Sequence, residues 1–233
     1  MPAHDTLLSA LLQTPADGST LWPIVLLTLR VSGVALAISA LLGIPVGALL
    51  GLTRFTGRRL VVALVYSGMG LPPVVVGLAV YMFFSRTGPA GSLEWLFRPA
   101  AMIVAQIIIA FPLVAGLTMA AIESVDPQLR LQLRSLGANA FQEAWALLVE
   151  ARDGVIAALV AGFGGIISEV GAAMLAGGNI EGQTRVLSTA IVLETRRGEF
   201  GLALALGGVL LSLSFLVSVI LLRLRHFPER AWR

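Results

Sequence analysis

Long apolar runs alternate with short polar connections along this chain, and the lengths of the runs set the first expectations. A helix needs ~20 apolar residues to cross a ~30 Å hydrocarbon layer. Five stretches meet that length, at about 22–52, 60–84, 100–122, 155–175 and 201–222. The longest polar passage, residues 123–153 (ESVDPQLRLQLRSLGANAFQEAWALLVEARD), is not a simple linker. Its apolar residues Leu129, Leu133, Leu136, Ala140, Ala144, Leu147 and Leu148 recur at spacings of three and four, the helical period. This predicts short amphipathic helices turning at Gly137. A membrane loop built this way offers a surface to a partner. A second non-spanning passage covers 177–200, where Gly177, Gly178 and Asn179 stop a helix. Beyond them Val186, Leu187, Ala190, Ile191 and Leu193 mark a short amphipathic helix, serving either as a gate beside a pathway or as a cap over the bundle.

Composition agrees with this picture. The chain is 57% hydrophobic and 12% charged, with a mean hydropathy of +0.91, against roughly 25% charged in soluble domains. We therefore expect an all-α integral membrane protein with five spans, six at most. The 233 residues leave no room for a soluble domain of ~100 residues beside the spans, so one domain is expected. The first apolar run is too long for a signal-peptide core, and the first span is expected to stay in the membrane. There is no cysteine, so disulfides, thiolate metal sites and cysteine nucleophiles are excluded. All sixteen basic residues are arginine, so a lysine-bearing phosphate loop is excluded, and with it ATP hydrolysis by that machinery. His4 and His226 lie at the two ends, leaving almost nothing from which to build an intramembrane enzyme. No inverted repeat of the kind expected in a secondary transporter relates the spans. Composition leaves an ATP-independent channel open.

Arginine placement sets an expected orientation, since cytoplasmic loops carry the excess of positive charge. With residues 1–20 outside, Arg54, Arg58, Arg59, Arg130, Arg134, Arg152, Arg223, Arg225, Arg230 and Arg233 fall inside. Arg86, Arg98, Arg185, Arg196 and Arg197 fall outside, and Arg30 lies in or near the first span. The polar passage 123–153 and the C-terminus then face the cytoplasm. These arginines account for the net charge of +3, which implies no nucleic acid.

Several span residues stand out. Gly43, Gly47 and Gly51 make two overlapping G-x-x-x-G steps for close helix packing. Pro72 and Pro73, in LPPVVVG, predict a kink in the second span, either a hinge or a simple bend. The fourth span is rich in small residues yet holds Glu169. An intramembrane acid calls for a partner. An ion pair with Arg30 or a backbone hydrogen bond is the structural reading, and a part in gating or permeation is the functional one.

Three motifs, in this order and spacing, resemble the molybdate and tungstate permeases of ABC importers over about residues 22–225: LPPVVVG, SLGA from Ser135, and SEVGAAMLAGGNIEGQTR from Ser168 to Arg185. The polar passage is similar to the coupling loop of those permeases, whose signature sets a glycine ten residues before an apolar residue, here Gly137 and Leu147. It departs from that signature at Leu131, Gln132 and Leu133, where a Glu-Ala-Ala triplet is usual, and at Glu150, where a proline is usual. EVGA followed by GGNI looks most like the tungstate branch.

The resemblance implies the transmembrane domain of a type I ABC importer in the cytoplasmic membrane. Its partners would be a second copy of the permease, two cytoplasmic ATPase subunits and an extracytoplasmic oxyanion-binding protein. ATP and Mg would belong to the ATPase, with no cofactor in this chain. By the same resemblance Ser135, Leu136, Gly137 and Ala138 fall on the segment that enters the ATPase. Glu169, Gly171, Asn179, Thr184 and Arg185 fall on the segment that lines or supports an outer gate. Arg30, Thr184 and Arg185 are the candidates to meet a divalent oxyanion on its route. Another oxyanion, such as sulfate, is the alternative cargo.

Overall fold

In the computed structural model, which describes residues 21–223, there is no strand among the described residues. Ten helices follow one another: α1 (Leu21–Leu52), α2 (Arg58–Met69), α3 (Pro73–Phe84), α4 (Pro99–Glu123), α5 (Pro127–Ser135), α6 (Ala140–Glu150), α7 (Arg152–Ile167), α8 (Gly171–Gly177), α9 (Leu187–Arg197) and α10 (Phe200–Arg223). A 3-10 turn lies at Gly91–Leu93. The extracytoplasmic segment expected at 1–20, the arginines Arg225, Arg230 and Arg233, and both histidines lie outside the described residues.

Helices α1, α4 and α10 are each long and apolar enough to cross a membrane, and the count rises to five if the broken pairs α2–α3 and α7–α8 are each one span. Both breaks have causes in the chain. α2 ends at Met69 and α3 starts at Pro73, with Pro72 extended at φ −63° and ψ 119°. A proline drives the residue before it out of the helical region and has no N–H to donate. At the first helical position that lost N–H costs nothing, and Pro73 occupies it. The proline pair therefore ends one helix and begins another, where the sequence suggested a kink in a single helix, as a hinge or a simple bend. The run 155–175 is also interrupted, between Ile167 and Gly171. Ser168 Oγ donates back to the Gly164 carbonyl at 2.8 Å, a local bond that competes with helix continuation. Glu169 consequently lies in the break and not within a continuous helix.

The described residues fall into two compact units, and α1, α4, α7 and α10 each contribute to both. The first unit takes in 21–35, 72–108 and 164–217. Its core joins the start of α1 to α9 and α10 through Ile24, Val25, Leu187, Ala190 and Leu206. In the same unit α3 and α8 touch backbone to backbone: a Cβ on Gly77 would stand 2.6 Å from Ala172 Cα. The second unit takes in 36–71, 109–163 and 218–223. It packs Leu50, Val65, Ala115 and Met119 in one cluster and Ala48, Ile122 and Ala151 in another. Here the face of α1 carrying Gly43, Gly47 and Gly51 meets α4. A Cβ on Gly47 would fall 2.4 Å from the Ala115 carbonyl oxygen, so no other residue fits without moving a helix.

Candidate functional site

In the second unit, residues 123–153 form a stiff helical hairpin. α5 opens on Asp126, whose carboxylate accepts the Gln128 amide at 2.8 Å, and Pro127 fills its first position. α6 opens on a reciprocal capping box: Asn139 Oδ1 accepts from the Gln142 amide and Gln142 Oε1 accepts from the Asn139 amide, both at 2.9 Å. Between them the chain reverses at Gly137, whose φ of +81° suits glycine. The Gly137 amide donates to the Arg134 carbonyl and the Ala138 amide to the Leu133 carbonyl, each at 3.0 Å, so the turn is closed by its own backbone.

Glu143 on α6 holds the two helices of the hairpin together. Its buried carboxylate receives Arg130 Nε at Oε1 and Arg134 Nε at Oε2, the latter at 2.9 Å. Hydrogen bonding from Arg134 is the leading reason its carboxyl lies below the usual range; Arg130 adds to this, and burial opposes it. Arg134 is in turn held above its ordinary value, first by that same hydrogen bond. Arg130 also reaches α1, donating Nη2 to the Leu52 carbonyl at 2.5 Å. Arg58 does likewise, donating Nε to the Leu50 carbonyl at 2.8 Å and Nη2 to Glu123 Oε1 at 2.5 Å. The last carbonyls of a helix have no intrahelical partner and carry partial negative charge. Arginines from α2 and α5 satisfy two of them here, which fastens the hairpin to the end of α1.

The outward side of the hairpin is apolar. Leu136 is 84% exposed, Phe141 79% and Trp145 64%. Phe141 and Trp145 stand four residues apart on one face of α6. Leu147, grouped with the docking residues on its spacing from Gly137, is instead only 3% exposed. It lies one turn after Glu143 on the face that the arginines pull inward, so it belongs to the unit's interior. Sequence spacing missed Phe141 and Trp145 because α6 carries apolar residues on two stripes, and only packing decides which stripe is covered.

The first unit gathers the segment after Glu169. The Glu169 carboxylate accepts the Ala172 amide at 3.0 Å and so caps α8, while its carbonyl accepts Ser188 Oγ at 2.9 Å. Arg30 lies on an exposed stripe of α1 and makes no ion pair with Glu169. Of the two structural readings of Glu169, the backbone hydrogen bond is the one present. Gly171 opens α8 with room for no side chain, since a Cβ would meet Val74 Cγ2 of α3 at 2.6 Å. α8 ends where Gly178 and Asn179 adopt φ of +73° and +52° in succession. Thr184, fully buried, ties this turn together by donating to the Gly177 carbonyl at 2.5 Å and accepting the Ile180 amide at 2.9 Å. Arg185 is buried and faces Glu181 Oε2 at 3.7 Å. α9 is anchored to α1 through Thr28, whose Oγ1 accepts the Leu187 amide at 2.9 Å. Pro72 and Pro73 introduce α3, the helix that α8 packs against.

Residues 43–226 match the family described as the inner membrane component of binding-protein-dependent transport systems. A probable anion ABC transporter permease of Haloferax volcanii is 40% identical over 203 residues, which cover 85% of this chain and 88% of that one. A tungstate uptake system permease of Peptoclostridium acidaminophilum is 38% identical over 205 residues, covering 88% and 90%. A methionine ABC transporter solved in inward-facing conformations shares the fold, with a TM-score of 0.71 at 22% identity over 88% of this chain and 95% of that one. Helices without strands among the described residues, apolar helices of spanning length, an amphipathic hairpin and this coverage leave one assignment: the protein belongs to the inner membrane components of binding-protein-dependent transport systems, as a permease of the ABC importer class with the type I transmembrane fold.

Proposed function

We propose that this chain is the translocating subunit of an importer for tungstate or molybdate. Two copies would enclose the pathway, an extracytoplasmic protein would deliver the oxyanion, and ATP would be hydrolysed with Mg on two separate cytoplasmic subunits. The observation that carries the reading is the exposed apolar face of Leu136, Phe141 and Trp145 on a hairpin braced by Glu143. Such a face on a rigid mount suits a docked ATPase, because a load applied there moves the end of α1 through Arg130 without being absorbed by the loop. The tungstate-permease relative supplies the substrate class. Glu169 and Glu181 beside Arg185 form no ring of positive charge, which fits a conduit that leaves selection to the delivering protein.

The segment from Glu169 to Arg185 is our candidate for the outer gate. α8 is capped by a side chain, closed by two left-handed residues and pressed against α3, so it would move as one piece. The test is reconstitution with the ATPase and the binding protein in proteoliposomes. ATP-dependent tungstate uptake that stops when Trp145 and Phe141 are changed to Ser, while the permease stays folded, would support the reading. Uptake without an ATPase would overturn it.

A further inference from the structure

We propose that the turn between α1 and α2 is a binding site for the headgroup of an anionic phospholipid. Arg54, Phe55, Gly57, Arg58 and Arg59 line an open hollow of about 460 Å³ within the second unit. Arg58 is already committed to Glu123 and the Leu50 carbonyl. Arg54 and Arg59 are exposed, and neither makes an ion pair or side-chain hydrogen bond among the described residues. The nearest acids are engaged: Glu123 pairs with Arg58, and Asp126 caps α5. Two guanidinium groups without a side-chain partner among the described residues therefore border this hollow, Arg54 also bordering the neighbouring one that holds Glu123 and Asp126. α2 begins there on Gly57 with no acidic residue in its first turn, so the positive end of its dipole adds to the field of the arginines, although the Arg58 and Leu60 amides already donate to the Phe55 and Gly57 carbonyls.

Apolar surface continues from the charge. Phe55 is exposed at the tip of the turn, and Leu60 and Leu64 are exposed one turn apart along α2. α2 is half of a helix pair that passes the length and hydropathy test for a span. A phosphodiester held by Arg54 and Arg59 would lay its acyl chains over Leu60 and Leu64, a match of charge and apolar surface that a soluble anion does not use. Basic clusters at the end of a spanning helix attract anionic lipid by about fivefold in affinity per arginine, so two arginines would contribute about 25-fold.

The experiment is native mass spectrometry of the full chain in detergent, titrated with phosphatidylglycerol or phosphatidylcholine of equal chain length. The wild type should favour phosphatidylglycerol, and the double variant Arg54→Gln/Arg59→Gln should lose that preference by about 25-fold. Arg54→Lys/Arg59→Lys should keep most of it, which controls for misfolding, and Arg98→Gln elsewhere on the chain should leave it unchanged. An unchanged preference in the double Gln variant, or an equal loss in Arg98→Gln, would overturn the site. Displacement of the lipid by millimolar inorganic phosphate would mean a simple anion site and count against a lipid. Loss of ATPase co-purification with lipid preference intact would assign the surface to a protein partner instead.

Discussion

Arg130 and Glu143 face each other across the α5–α6 hairpin, with Arg130 Nε on Glu143 Oε1 and its Nη2 on the last carbonyl of α1. One side chain thus links the proposed docking surface to α1. Glu143→Ala would strip both arginines of their shared acceptor. Because Arg130 and Arg134 are partly exposed, the loss should be about 1–3 kcal/mol, below the cost of breaking a fully buried pair. Faster proteolysis within 123–153, with the rest of the chain protected, is the expected readout.

The same contact sets a pH window. The folded carboxyl of Glu143 lies below its ordinary value, so the folded state binds fewer protons than the unfolded one and the contact stabilises at high pH. Its contribution should be constant from neutrality down to about pH 4.3, the ordinary glutamate value, and then be lost as the pH falls through the depressed value. Hydrogen exchange of the hairpin amides across pH 6 to 3, corrected for the intrinsic rate, would show this in the wild type. In Glu143→Gln the dependence should be absent.

Phe141 and Trp145 are largely exposed, so changing either to Ala should leave thermal stability within about 0.5 kcal/mol. Buried at an interface, an aromatic anchor contributes about 2 kcal/mol, or about 30-fold in affinity. Titration of the ATPase subunit onto the solubilised permease should report that loss for each. Unchanged affinity in both variants would place the docking surface elsewhere.

Gly137 separates two causes of failure. A Cβ there meets no atom of this chain, yet its φ of +81° disfavours branched side chains. Gly137→Asn should fold nearly as well as the wild type, because Asn tolerates this region, while Gly137→Val should destabilise the hairpin by about 1–3 kcal/mol. If both lose the ATPase equally, the defect is steric at the partner; if only Val does, it is the turn.

On α1 the order of damage should follow the gaps. Gly47→Ala must displace the Ala115 carbonyl, whereas Gly43→Ala and Gly51→Ala meet side-chain carbons of Val114 and Ile122 at 3.1 Å. The first should lower the melting temperature in detergent most, by an amount matching about 3 kcal/mol or more. The other two should fall below about 1 kcal/mol.

Hydrophobic run length alone determined that this is a helical membrane protein, because crossing a bilayer requires ~20 apolar residues whatever they pack against. The helix period predicted short helices within 123–153, which the structure places at 127–135 and 140–150, and the turn chemistry of Gly137 and Gly178 was legible because only certain residues tolerate left-handed backbone. What the sequence could not determine was the partner of each polar group. Glu143, nine residues from Arg134, is indistinguishable in one dimension from a solvated acid; folding buries it between two arginines. Glu169, an apparent candidate for Arg30, turned to the amide of Ala172 three residues away once the helix broke at its position. Which stripe of α6 is buried, putting Leu147 inside and Phe141 and Trp145 outside, was likewise decided by neighbours distant in sequence. Periodicity records that a helix has apolar faces, and tertiary contact alone chooses the one that is covered.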